Sequence, residues 1–363
     1  MLHIYPKLSN ESNPNSTYNF IGDTNDGIVF VEDHMPDIDN LSMEYDTNNS
    51  YIDPNHNTIN DIINTTGYKT NYVFGESYLK WEGFDNFYTI PTFFLSLCIS
   101  YQHMDISELT YSDNVSIMAL MRKNRPQRHL VSAWLSNNPC NFKYTQNFEQ
   151  DNFLLAELVR CTKYENLKSI LPKYTIGPSK SLSLVRPWHA IDSFKMFSSL
   201  ITSSTFHIIT EPNFFEKGCS ITEKYLWCLY GFSFPIFCGS YKLPDALKEI
   251  GFDLFDDIID HSYQYETNPT LRTLDALQLN KNLFTNNNIK KTDYLKRHQN
   301  NLRLIRQDLE YTIDKFYKPI QKLAKEFDLS PIINLRNFKP LTQKTDYVGN
   351  QGLHKLIPSK KFN

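Results

Sequence analysis

The stretch Ile221-Thr222-Glu223-Lys224 places a hydroxyl, a carboxylate and an ammonium at the start of a helix-patterned segment, residues 222–230. Glu211 stands just upstream, at the end of a β-branched and aromatic run over 206–210, and Gly239 closes the next apolar run, 234–238. A helix N-terminus presents N–H groups without intrahelical partners and a partial positive charge, so with Lys224 beside it the place suits a phosphate. Glu223 or Glu211 would then accept from a ribose hydroxyl. The same four residues also have an ordinary reading, with Thr222 as N-cap and Glu223 as a favourable first-turn acid. On their own they leave both readings open.

An alternation of strands and helices must position them. Apolar runs at 27–31, 72–74 and 115–121 read as strands, and helical patterns follow at 129–135, 152–161 and 191–200, with a short strand at 181–185 leading into Arg186. From 206 the order is strand, helix (222–230), strand (234–238), helix (243–250), with Gly251 before another short strand. Such a βαβαβ order implies parallel strands and right-handed crossovers. The expected class is therefore α/β, with two Rossmann-like lobes around a cleft. Ligands of open α/β sheets bind beyond the carboxyl ends of the strands, which directs attention to Glu32 and Asp33, Glu76, the basic loop from Arg122 to Arg128, Arg186, Glu211 and Gly239. The segment 289–327 has long helical periodicity with many Lys and Arg on its other face.

The chain has 363 residues, 40% of them hydrophobic and 21% charged, enough for a sizeable core and more than one typical domain needs. Its net charge of −3 conceals an asymmetry. Residues 1–120 carry three basic side chains, Lys7, Lys69 and Lys80, against seventeen acidic ones, whereas 281–363 carry seventeen basic against seven acidic. Anion binding is thus expected of the later part. The longest apolar run, 90–101, is well short of the roughly 20 residues that span a bilayer. The Asn-rich N-terminus has neither a basic nor an apolar leader region, so a cytoplasmic protein is expected. Six single cysteines without C-x-x-C pairs read as reduced thiols, and nothing has the spacing of a metal site.

The stretch 211–239, EPNFFEKGCSITEKYLWCLYGFSFPIFCG, resembles the donor-binding signature of the alpha-1,3-fucosyltransferase family, glycosyltransferase family ten. That signature runs E-N-S, a short loop, Y-[VI]-T-E-K, a helix, and a P-[IV] strand ending in Gly. Upstream, LVRPWHA resembles the family's strand and phosphate-binding arginine, which falls on Arg186. NYVFGESYLKWEGFDNFYTIP resembles the acceptor-lobe segment, putting Glu76 on the family's catalytic base, and MRKNRPQRHLVSAW resembles the strand, loop and helix joining the lobes. IGFDLFDDIIDHSY is similar to phage and giant-virus glycosyltransferases. Pro212 and Phe214 depart from E-N-S, Asn213 comes one place later, and the loop to T-E-K is longer. The resemblance touches four segments between about 72 and 260.

It implies a GT-B-like fold: an acidic acceptor lobe over 1–180, a nucleotide-sugar donor lobe over 181–280, and a basic helical tail over 281–363 packing back on the lobes. It further implies an inverting, metal-independent transferase that moves a sugar from a GDP-fucose-like donor to a hydroxyl of a glycan, with no cofactor. Glu76 would be the base, with Asp33 in reserve on the strand-end rule. Arg186, Glu211, Asn213, Thr222, Glu223, Lys224 and Gly239 would bind the donor, with Arg125, Arg128 and His129 steering its charge. The donor region has no D-x-D after a hydrophobic strand to hold a metal-bound diphosphate. Two other readings stand beside this one. The basic C-terminal part could hold nucleic acid, and the two combine if the acceptor is a hydroxymethylated base in viral DNA.

Overall fold

The computed structural model describes residues 2–5, 26–31, 70–75, 87–89 and 92–312, the last with gaps at 122–123, 139, 147, 149–150, 161, 171–189, 212–220, 240 and 286–287. The class is α/β with parallel sheets. Strands β1 (Leu2–Tyr5), β2 (Asp26–Val31), β3 (Thr70–Gly75) and β4 (Phe87–Thr89) lie side by side in chain order, parallel throughout. β2 and β3 are the two runs legible in the sequence; β1 and β4 are four and three residues long, too short to display a period. β2 ends at Val31 and β3 at Gly75, so Asp33 and Glu76 follow strand ends in the chain. Both lie outside the described residues, as do Arg186, Asn213 and the strand expected over 181–185.

Helix α1 (Thr92–Tyr101) leads to β5 (Val115–Met121), α2 (Pro126–Ser136), β6 (Phe142–Gln146), α3 (Asn152–Val159), α4 (Glu165–Ile170) and α5 (Ala190–Ser203). Then come β7 (Ser204–Thr210), α6 (Glu223–Gly231), β8 (Phe234–Cys238), α7 (Leu243–Ile250), α8 (Pro269–Leu279), α9 (Lys281–Thr285) and α10 (Leu295–Arg306). The second sheet has the order β6-β5-β7-β8, all parallel. The runs of β5, β7 and β8 are largely apolar because helices cover both faces. Ile117, Ala119, Phe206, Ile208, Phe234 and Ile236 pack with α2, α3 and α8. Met118, Leu120, Ile209 and Phe237, the alternate positions, pack with α1, α5, α6, α7 and α10.

Two expectations change here. β5 and β6 precede residue 180 yet belong to the same sheet as β7 and β8, so the division expected at 180/181 runs through a sheet. The strand expected after Gly251 is a loop, and residues 261–263 instead cover the edge of β8. There the Phe237 N–H donates to the Tyr263 hydroxyl (2.9 Å) and the Pro235 carbonyl accepts from His261 Nε2 (3.3 Å). Pro235, which has no N–H to give a ladder, is tolerated because β8 is that edge. Among the described residues no helix is long and apolar enough to cross a membrane, and Cys98, Cys140, Cys228 and Cys238 are unpaired thiols.

The described part of the tail packs back on this second sheet's helices. Its periodic stretch is interrupted at Gln307 and Asp308, beyond α10. Arg297 forks onto Asp253 (2.6 and 2.8 Å) and Asp257, and Arg306 donates to the Met104 carbonyl (2.9 Å). Lys291 is fully buried, and its ammonium donates to the carbonyls of Thr202 (2.6 Å), Gly231 (2.9 Å) and Ser204 (3.0 Å). Two of these are C-terminal carbonyls of α5 and α6, where a cation meets the negative helix end. Burial pulls the Lys291 ammonium down to about 8, against the attraction of Asp113. Lys291→Met keeps the volume but removes the ammonium; the Thr202 and Ser204 carbonyls keep the Ser112 N–H and the Ser233 hydroxyl, the Gly231 carbonyl loses its donor, and stability should fall by about 1–2 kcal/mol. Urea unfolding checks this; a loss under about 0.5 kcal/mol would mean that the Gly231 carbonyl finds another partner.

Candidate functional site

β5 sends the chain through α2 on one face of the second sheet and back as β6; β7 sends it through α6 on the other face and back as β8. β5 and β7 are neighbours, so the winding reverses between them. Helices that leave adjacent strand ends on opposite faces open a crevice, the usual ligand position of open α/β sheets. The loop and helix start after β5 bring Arg125, Gln127 and Arg128 to it. The end of β7 and the start of α6 bring Thr210, Glu211, Thr222, Glu223 and Lys224. Gly239 lies one residue beyond Cys238, which pairs with Thr210, so it stands beside Glu211 at the strand ends.

Glu211 is fully buried and organises the β7–α6 turn. One carboxylate oxygen accepts from the Thr222 N–H (3.1 Å), the other from the Thr222 hydroxyl (2.6 Å), and Lys224 Nζ stands 3.7 Å away. Thr222, the N-cap, accepts from the Lys224 N–H and from its ammonium (3.1 Å), which also reaches Glu223 (3.4 Å). The anion seated at the α6 N-terminus is therefore Glu211 itself. Burial pushes its carboxyl up, opposed by Lys224 and the Thr222 hydrogen bonds. Of the two carboxylates offered by the sequence for a ribose hydroxyl, Glu223 keeps accessible surface and Glu211 has none.

Across the crevice, α2 begins with Pro126, whose missing N–H costs nothing at a first helical position, and its N-cap Arg125 provides no side-chain cap. Arg125 and Arg128 are 5% and 4% exposed. Arg128 donates to the Thr210 hydroxyl (3.3 Å) and carbonyl (3.4 Å), and Gln127 donates its amide to the Glu211 carbonyl. Burial lowers the Arg128 guanidinium to about 9, repulsion from Arg125 adds to that, and Glu223 and Glu211 oppose it. Among the described residues, the buried Arg125, Arg128 and Lys224 thus gather near Glu211 and Glu223.

His129 does not steer anions as a cation. It is fully buried, and burial pulls it down to about 4 against Asp151, so it is neutral at physiological pH. Gln127, Thr210 and Arg272 escaped the sequence reading as site residues. Gln127 lies in the first turn of α2, within the stretch that the strand-end rule marks, but its partner is 84 positions away. Arg272, fully buried on α8, holds the Gly239 carbonyl (2.7 Å) together with that of Glu266 (2.7 Å), and nothing in its local sequence signals this. Gly239 itself adopts φ 124°, which favours glycine at this turn. Among the described residues no group of three His, Cys, Asp or Glu is placed to hold a metal ion.

No protein-family model, curated protein or solved structure gives a significant match to the chain.

Proposed function

We propose that this chain is a glycosyltransferase that binds a nucleoside-diphosphate sugar, GDP-fucose-like, in the crevice between β5 and β7 and transfers the sugar with inversion to a glycan hydroxyl, without a metal. The observation that carries this reading is the convergence of the buried Arg125, Arg128 and Lys224 on one strand-end crevice. A diphosphate would relieve the repulsion between the arginines, which by their fork geometry suit phosphate oxygens. Glu223, on the rim, would accept from a ribose hydroxyl, and Arg186 and Asn213 would complete the donor site as the family resemblance implies.

In the reaction the bond from the anomeric carbon to the diphosphate oxygen breaks and its electron pair leaves with the diphosphate. The acceptor oxygen bonds to the anomeric carbon from the opposite side, so the configuration inverts. Its proton passes to Glu76, beyond β3 of the first sheet, which would serve as the acceptor lobe of a GT-B arrangement. The electrostatic task is the charge growing on the leaving group, which fixed cations in a water-poor crevice stabilise without reorganising. The described part of the basic tail supports a glycan acceptor over duplex DNA, because Lys291, Arg297 and Arg306 are engaged with this chain's own carbonyls and carboxylates.

A thermal-shift panel of nucleotide sugars, with and without EDTA, tests this. A ligand that binds only the folded state adds about 2.7 kcal/mol at a hundred times its Kd, and the shift and the transfer activity should both persist in EDTA. Loss of activity on chelation, with recovery on adding Mn²⁺ or Mg²⁺, would overturn the metal-free mechanism. A panel in which no nucleotide sugar raises the midpoint would remove the donor assignment.

A further inference from the structure

His129 occupies the first turn of α2, fully buried, with its ring packed on Phe148 at a centroid distance of 4.6 Å. Its Nδ1 lies 3.3 Å from the backbone nitrogen of Asp151, and its Nε2 lies 2.5 Å from Oδ1 of Asn124. A backbone N–H can only donate, so Nδ1 must be the acceptor and the single ring proton sits on Nε2, donated to the Asn124 carbonyl. An imidazolium would set one N–H against another. The geometry therefore fixes both the charge and the tautomer.

The two partners belong to the two loops beyond adjacent strands. Asn124 precedes Arg125 in the connection from β5 to α2. Asp151 follows β6 and caps α3, its side chain accepting from the Leu154 N–H (2.8 Å). Through its main chain, His129 also donates to the Arg125 carbonyl (3.3 Å), as Arg128 does (3.0 Å). One buried ring thus ties the arginine loop to a capped helix start on the neighbouring strand.

We infer that His129 is a positioning residue for the donor crevice, a neutral single-tautomer imidazole that sets Asn124 and, through it, the place of the Arg125 guanidinium facing the diphosphate. This rests on the proposed reading of the crevice. Its two contacts have different consequences. The one to Asn124 orients the anion-binding loop, and the one to Asp151 anchors the ring in the fold.

The two can be separated by substitution. His129→Gln keeps a donor near the Nε2 position and loses the acceptor for Asp151; His129→Asn keeps an acceptor near Nδ1 and loses the donor to Asn124. Asn124→Ala removes the same link from its exposed end, where no buried packing is lost. Inorganic pyrophosphate titrated calorimetrically into the full chain is the probe, with the thermal midpoint of each variant measured in parallel. Pyrophosphate should bind His129→Gln within about threefold of wild type, and His129→Asn and Asn124→Ala about tenfold more weakly, although the two His129 variants lose similar thermal stability. Equal affinity in all three variants, or losses that track the midpoints, would overturn the positioning role while leaving the crevice intact. Absence of pyrophosphate binding to the wild type would instead overturn the crevice reading, and the inference with it.

Discussion

Lys224→Met is expected to weaken nucleotide-sugar binding by some 10²-fold and to destabilise the fold at neutral pH by about 3 kcal/mol. The binding loss follows from removing a cation at the crevice. The stability loss follows from Glu211, which is fully buried and has the Lys224 ammonium 3.7 Å away. Taking away one partner of a buried pair leaves a charge that water cannot reach. The pH dependence has a definite sign. Burial already holds the Glu211 carboxyl above its ordinary value, and without Lys224 it rises further. In the variant the folded state then holds a proton that the unfolded chain releases above about pH 4.3, so stability falls as pH rises from there towards the folded pKa. The deficit relative to wild type should accordingly be smallest near pH 4–5 and grow towards neutrality. Urea unfolding at acid and neutral pH measures it. A deficit that is small and flat with pH would mean that Thr222 alone carries the Glu211 charge.

Glu76→Gln should leave donor affinity nearly unchanged and lower the transfer rate by about 10²- to 10⁴-fold, the usual span for a positioned general base. The substitution keeps shape and hydrogen bonding and removes only the capacity to take a proton. Glu76 follows β3 of the first sheet, whereas the cations of the crevice belong to the second, so donor binding and proton removal should separate cleanly in single-turnover kinetics. The wild type should show an acid limb in its pH–rate profile that the residual activity of the variant lacks. Asp33→Asn is the companion measurement. Normal transfer by Glu76→Gln together with a dead Asp33→Asn would move the base to the end of β2, and two active variants would remove the acceptor assignment from both strand ends.

Local pattern determined a good deal of this protein. β5, β8 and α7 have the bounds that their apolar runs and turn residues mark, and Thr222 caps α6 as its residue type requires. The strand-end rule directs attention to Arg125, Arg128 and Glu211, which the structure brings together at adjacent strand ends. β6, sequence FKYTQ, was missed because an edge strand half open to solvent lacks the continuous apolar run of the inner strands. The order β6-β5-β7-β8, and with it the crevice, could not be read, since pairing is decided by which apolar faces bury together over long separations.

The chemistry of the site divides in the same way. Residue type and spacing along the chain determined that a carboxylate, a hydroxyl and an ammonium would meet at a helix start. Only the tertiary structure decided that the carboxylate seated at that helix end is Glu211, that Lys224 is buried beside it, and that His129 is a neutral strap rather than a cation. The reason is desolvation. Charge state and hydrogen-bond partner depend on how much water a group loses and on what replaces it, and both are set by contacts such as Gln127 to Glu211 or Arg272 to Gly239. Those contacts join residues far apart in the chain, which local periodicity and capping signals do not encode.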